Sequence, residues 1–194
     1  MSKTRLEAFS DAVIAIILTI MVLELKVPHG TDLSSLSPLL PIMLSYVLSF
    51  VHIGIYWNNH HHMLHVAKKV NGTVLWTNMH LLFWLSLVPF VTGWMGENHF
   101  EAIPVAGYGF VMLMAGVAYY ILSRSLIAHH GKDSAMARAF GRDLKGIFSV
   151  VTYLVAIALC LVNSWISLGL YVVVALSWFI PDKRAEKILS EITD

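Results

Sequence analysis

The chain has 194 residues, 57% of them hydrophobic and only 13% charged, with a formal net charge of +1 at neutral pH. A mean hydropathy of +0.70 exceeds what a soluble domain of this size can hide from water, so the protein reads as integral to a membrane. So small a net charge excludes a broadly basic nucleic-acid binder and leaves lipid, like subunits and small solutes as partners.

Six apolar segments follow one another, running from Arg5 to Lys26, Leu36 to His62, Gly72 to Met95, Pro104 to Ala128, Lys145 to Val162 and Trp165 to Ile180. Each is near the ~20 residues that span a hydrocarbon core. The predicted architecture is therefore all-α, one membrane domain over residues 1–194 with six spans, the last two forming a hairpin across Asn163 and Ser164. Pro104 suits a helix start, Pro28 and Pro181 suit helix stops, and Pro89 predicts a kink inside the third segment. Cys160, the single cysteine, lies in an apolar run and is expected to be a packed thiol.

The first segment opens R-L-E-A-F-S-D, placing Arg5, Phe9, Ser10 and Asp11 ahead of an aliphatic stretch from Ala12 to Leu25. An arginine and an aspartate leading a membrane-length helix are costly unless something holds them, so the run marks stability given up for function. The segment is too long and too charged at its far end for a cleaved signal peptide, and it is expected to remain in the mature protein. At about 100° per residue, Ile16, Ile20 and Leu23 share a stripe that Thr19 borders and that Ala12 and Phe9 extend, while Asp11 lies far round from Ile16. Such a stripe faces lipid or neighbouring helices in most spans; copies of it around an axis would instead form a hydrophobic constriction. Spacing alone leaves both readings open.

His60, His61, His62 and His65 cluster at the end of the second segment. Consecutive histidines splay around a helix, so only His61 with His65 and His62 with His65 share a face. The H-E-x-x-H pattern is absent because His62 stands where the glutamate would be. Interface histidines that respond to pH are the reading, with no metal site.

With the N-terminus cytoplasmic, Lys3, Arg5, Lys68, Lys69, Arg124, Lys132, Arg138, Arg142, Lys145, Lys183, Arg184 and Lys187 fall inside and only Lys26 outside. Six spans return the C-terminus to the cytoplasm, so count and orientation support each other. The outer loops carry Asp32, Glu97 and Glu101. A coupled transporter, the alternative reading, calls for an acid near the midplane; here Glu7, Asp11, Glu24 and Asp143 all lie toward segment ends. No nucleophile, base or acid pair of an intramembrane enzyme is recognisable.

The run R-L-E-A-F-S-D-A-V-I-A-I-I-L-T-I-M-V-L-E-L-K-V-P resembles the first-span signature of the transmembrane protein 175 family, the lysosomal and endosomal potassium channels and their prokaryotic relatives. Further matches are Trp57 and His60 in Y-W-N-N-H, Asn78 in W-T-N-M-H, and Pro89 with Phe90 in L-V-P-F; no comparable motif follows Gly93. The resemblance implies a passive potassium-permeable channel with no T-V-G-Y-G filter and no cofactor, whose first helix lines the pore. It implies Ile16 as the narrow point, Ile20 and Leu23 continuing it outward, and Thr19 as a polar ring beside it. The bland reading of Thr19 is a hydroxyl bonded to its own helix carbonyl four residues earlier. Eukaryotic members carry two six-span repeats per chain and this chain one, which implies a homotetramer in a bacterial plasma membrane. The resemblance further implies that Arg5, Phe9, Ser10 and Asp11 anchor the pore helix, with Trp57, His60 and Asn78 as partners around the Asp11 carboxylate.

Overall fold

The computed structural model describes residues 2–141 and 143–179, and these form helices with no strand among them. Helix α1 (Lys3–Leu23) begins where the Ser2 hydroxyl accepts from the Arg5 N–H, and it has no glycine or proline to interrupt it. Its buried positions are Leu6, Ser10, Ile14, Ile17 and Met21, spaced by three or four residues along one face. After a 3-10 segment at Leu33–Leu39 comes α2 (Leu40–Val66), with Pro41 in its first turn.

Helix α3 (Gly72–Ser86) starts at Asn71, whose side chain accepts from the Val74 N–H at 2.9 Å. It gives way at Leu87 to α4 (Val88–Glu97). Pro89 has no N–H for the Leu85 carbonyl, so the predicted kink is a break between two helices on one line of chain. Helix α5 (Ala102–His130) ends at Gly131, whose φ of 95° lies in the left-handed region. A short α6 (Ala135–Phe140), which the hydropathy pattern does not anticipate, precedes α7 (Leu144–Leu159) and α8 (Ser164–Phe179).

Several expected boundaries move. The first helix stops at Leu23 instead of Lys26, the second continues past His62 to Val66, and the fourth apolar segment extends from Ala102 to His130. Four stretches, Lys3–Leu23, Leu33–Val66, Gly72–Glu97 and Ala102–His130, are long and apolar enough to cross a membrane. Helix α7 has 16 residues, about 24 Å of rise against a hydrocarbon core of ~30 Å, and α8 has 16 among the described residues. The chain is thus a multi-pass membrane protein with four stretches of spanning length and an apolar α7–α8 hairpin. Arg142, Ile180, Pro181, Lys183, Arg184 and Lys187 lie outside the described residues.

Helix α5 is the hub, packed on α3, α4, α7 and α8, while α1 sits to one side on α2, α3 and α4. Cys160 is buried at the end of α7. Helices α2 and α4 approach closely at Gly96, where a Cβ would lie 2.8 Å from the Ile42 Cα and 2.9 Å from the Ser45 hydroxyl. Backbone gives way less readily than a side-chain tip. Gly96→Ala is therefore expected to force α4 off α2 and cost about 1–3 kcal/mol. In a detergent melt the midpoint should fall by roughly 2–12 °C; an unchanged midpoint would show that the helices separate freely there.

Candidate pore helix and its anchoring site

The polar groups of α1 are held from two neighbouring helices. The Ser10 hydroxyl is fully buried and donates to the Leu6 carbonyl at 2.9 Å, so it accepts from the Asn78 amide at 3.0 Å. The Asn78 carbonyl oxygen in turn accepts from His60 Nε2 at 2.7 Å, which requires the proton of that ring nitrogen to face Asn78. Donors therefore run one way, from His60 on α2 through Asn78 on α3 to Ser10 and Leu6 on α1. Trp57 Nε1 donates separately to Asp11 Oδ1 at 3.0 Å.

Asp11 thus takes one of its three expected partners, and the other two close on Ser10 instead. The reason is angular: Ser10 lies on the buried stripe with Leu6 and Ile14, while the next residue is turned about 100° away toward the exposed side. Of the F-S-D triplet only Ser10 points into the helix bundle; Phe9 and Asp11 are exposed. The Arg5 side chain is exposed and pairs with no carboxylate among the described residues. Lys3 Nζ instead joins α1 to α2, donating to the His65 carbonyl at 3.3 Å and lying 3.6 Å from Glu7.

Below Trp57 the α2 histidines form a stack. His61 lies 5.9 Å from the Trp57 ring at 27° and 6.2 Å from His65 at 23°. Among the described residues no three His, Cys, Asp or Glu side chains converge on one point.

Just beyond the other end of α1, Lys26 Nζ meets Glu97 Oε1 at 2.9 Å, tying that end of the chain to the end of α4. Glu97 raises the Lys26 pKa above its usual 10.5 through its hydrogen bond and its charge. A raised lysine pKa means that the tie is complete below that value and is lost as pH rises through the folded-state value, so it persists throughout the neutral range. Both groups are exposed, and salt screens them. The sequence puts Lys26 and Glu97 on one expected side of the membrane, and their opposite charge is the only signal in it for a pair that the packing of α1 beside α4 makes.

The remaining face of α1 is largely open. Phe9, Ala12, Ile16, Thr19, Ile20 and Leu23 are all exposed, with Ile16 56% open beside Ile17 at 3%. Thr19 donates its hydroxyl hydrogen to the Ile16 carbonyl at 2.9 Å, three residues back and not four, which leaves the oxygen lone pairs turned outward. The stripe read from the helical wheel is therefore the open face, and the helix is braced near both ends.

A family model described as endosomal/lysosomal potassium channel TMEM175 matches residues 5–89. A potassium channel of Chryseobacterium sp. (strain P1-3) is 52% identical over 191 residues, covering 98% of this chain and 100% of that one. The chain belongs to the TMEM175 family. A second relative, a potassium channel of Chamaesiphon minutus, is 31% identical over 89% of this chain and 91% of its own length. The crystal structure of a lysosomal potassium-selective channel TMEM175 homologue from Chamaesiphon minutus superposes with a TM-score of 0.78 at 29% identity, over 92% of this chain and 96% of that one. The TMEM175 match spans α1 to the start of α4, the stretch that contains Ser10, Asp11, Trp57, His60 and Asn78. These TMEM175 relatives are channels and not enzymes.

Proposed function

We propose that this chain is one subunit of a homotetrameric potassium channel that conducts passively, with α1 innermost and both termini cytoplasmic. The observation that carries the proposal is the open face of α1, which is apolar apart from Thr19 and held in place by bonds made elsewhere on the helix. A helix in lipid needs no bracing to expose leucine and isoleucine. Fixing its angle is useful when like faces must meet around an axis. One helix encloses no path, so a closed cyclic assembly follows, and four copies suit a single-repeat member of this family. The short α7–α8 hairpin completes six passes at the periphery, consistent with the lysine and arginine distribution. The membrane is the plasma membrane of a bacterial cell.

In this arrangement Ile16 forms the narrowest ring, Ile20 and Leu23 continue it outward, and the Thr19 oxygens supply part of an ion's coordination beside it. Arg5 and Phe9 frame the inner mouth, and Ser10, Asp11, Trp57, His60 and Asn78 set the helix angle. Selectivity comes from the constriction, with no carbonyl filter.

Reconstitution into liposomes with opposed potassium and sodium gradients tests the proposal. Purified protein is expected to run as a tetramer by mass and to pass potassium faster than sodium without a coupled ion, reaching a potential near the potassium equilibrium value. Saturable one-for-one exchange would indicate a coupled transporter, and conduction by a monomer at high dilution would remove the α1-lined pore.

A further inference from the structure

Side chains bond α1 to its neighbours at Lys3, Ser10 and Asp11. Past Asp11 and up to Leu23, among the described residues, no side-chain hydrogen bond joins it to another helix. Ile14, Ile17 and Met21 hold that length by apolar packing, which is non-directional and leaves the tilt of the helix loosely set. The stretch from Asp11 to Leu23 rises about 18 Å, so a tilt of about 5° at Asp11 moves Leu23 by roughly 1.5 Å. That is about the radius of a water molecule, ~1.4 Å, and so a difference that decides whether an ion passes a ring with its water. The next polar tie along the chain is the one from Lys26 to Glu97.

The backbone that carries Glu97 is fixed on both sides. Before it, Gly96 lies against Ile42 of α2. After it, every backbone N–H from Asn98 to Glu101 is bonded, and the Asn98 side chain donates to the Trp94 carbonyl at 2.8 Å. His99 and Phe100 have φ of 49° and 63°, a region that residues other than glycine seldom enter. Such backbone persists only where its surroundings over-determine it. Here Phe100 is 6% exposed, and its ring lies 5.2 Å from that of Trp165 at the start of α8. The turn between α4 and α5 is thus held from α2 through Gly96 and from α8 through Phe100.

An exposed ion pair is weak chiefly because two long side chains must be ordered to form it. On the Glu97 side the backbone is ordered already. The charge of Glu24 also favours the Lys26 ammonium, and its carboxylate lies 3.8 Å from where a Gly93 Cβ would stand, one turn before Glu97 on α4. From the lever length of α1, its lack of polar ties past Asp11 and the fixed turn that meets Lys26, we propose that Lys26 and Glu97 are positioning residues for conduction. By tying the chain just past α1 to the α4–α5 turn, they set the tilt of the second half of α1 and so the aperture at Ile20 and Leu23. This inference rests on the reading of α1 as the pore helix.

Potassium flux per folded tetramer in liposomes, measured on the full chain, tests it. Lys26→Met and Glu97→Gln are each expected to lower flux about two- to fivefold, the range an exposed pair supports, at an unchanged melting midpoint. The double change Lys26→Glu with Glu97→Lys reverses the pair and is expected to restore wild-type flux. Raising choline chloride on both sides of the membrane from ~0.1 to ~1 M shortens the screening length from about 10 to about 3 Å. Wild-type flux should then fall toward that of Lys26→Met, which salt should change little. Wild-type protein that passes no potassium would remove the channel reading and this one with it. In protein that conducts, single variants at wild-type flux, a reversed pair no better than either single change, or a wild-type flux as indifferent to salt as Lys26→Met would overturn the proposal and leave the channel reading standing. Flux losses that track a lowered midpoint would overturn it too, because they report lost folding.

Discussion

Replacing Ile16 with Asn is expected to raise cation flux through reconstituted protein on the order of tenfold and to bring the potassium-to-sodium preference down toward one. A ring of Ile16 side chains offers a cation no oxygen, so a narrow ring imposes a dehydration barrier. An amide in its place restores part of the hydration, and each ~1.4 kcal/mol removed from the barrier is a factor of about ten in rate. The same substitution one residue on should behave differently, because Ile17 is 3% exposed and packs inside the subunit. Ile17→Asn loses apolar burial and leaves an amide unsatisfied, at about 2–5 kcal/mol. Its signature is therefore a lower melting midpoint, with flux changed only as far as folded protein is lost. Measuring flux per folded tetramer separates the two effects. Equal flux changes at both positions, or none at Ile16, would place the stripe against lipid and remove the constriction.

The second large effect is expected at Asn78, the middle of the donor chain from His60 to Ser10. Asn78→Ala leaves the His60 N–H without an acceptor in a buried site and opens a void between α1 and α3. The orphaned donor alone costs about 1–3 kcal/mol, and the void adds to it. Thermal unfolding should show a clear loss of stability, and a Ser10→Ala/Asn78→Ala cycle should be non-additive because the two residues share a bond. Asp11→Ala should differ in kind. Asp11 is exposed and Trp57 is 44% exposed, so the subunit loses one half-solvated bond and little stability. In the proposed tetramer it would lose the restraint on the angle at which α1 meets its copies, read as a weaker tetramer and lower flux. An Asp11→Ala tetramer of normal stability with altered selectivity alone would make Asp11 a pore ligand. An Asn78→Ala midpoint equal to wild type would show that the buried chain contributes nothing.

Much of this was legible before any coordinates. Hydropathy identified a helical membrane protein, because backbone polar groups in lipid must be satisfied within the helix. Periodicity separated the Ile16, Ile20 and Leu23 stripe from Ile17, because an α-helix turns by a constant angle. The R-L-E-A-F-S-D run points to the family, and the matching motifs point to Trp57, His60 and Asn78 as partners. Which partner met which group was not legible, since that depends on the rotation of α1 against two helices distant in sequence. Adjacent residues diverge by about 100°, so a small rotation decides whether Ser10 or Asp11 receives Asn78.

Helix ends followed the same division. Pro89 signalled an interruption, but whether a proline bends a helix or ends it depends on what packs beside the freed carbonyl. The end of α7 and the start of α8 are set by the turn at Cys160–Asn163, not by a hydropathy boundary. Lys26 with Glu97, and Phe100 with Trp165, join residues far apart in the chain. Composition and period act along a single helix and so can be read from residue order; the angle, contact and enclosure between helices arise when separate segments pack, and no local pattern encodes them.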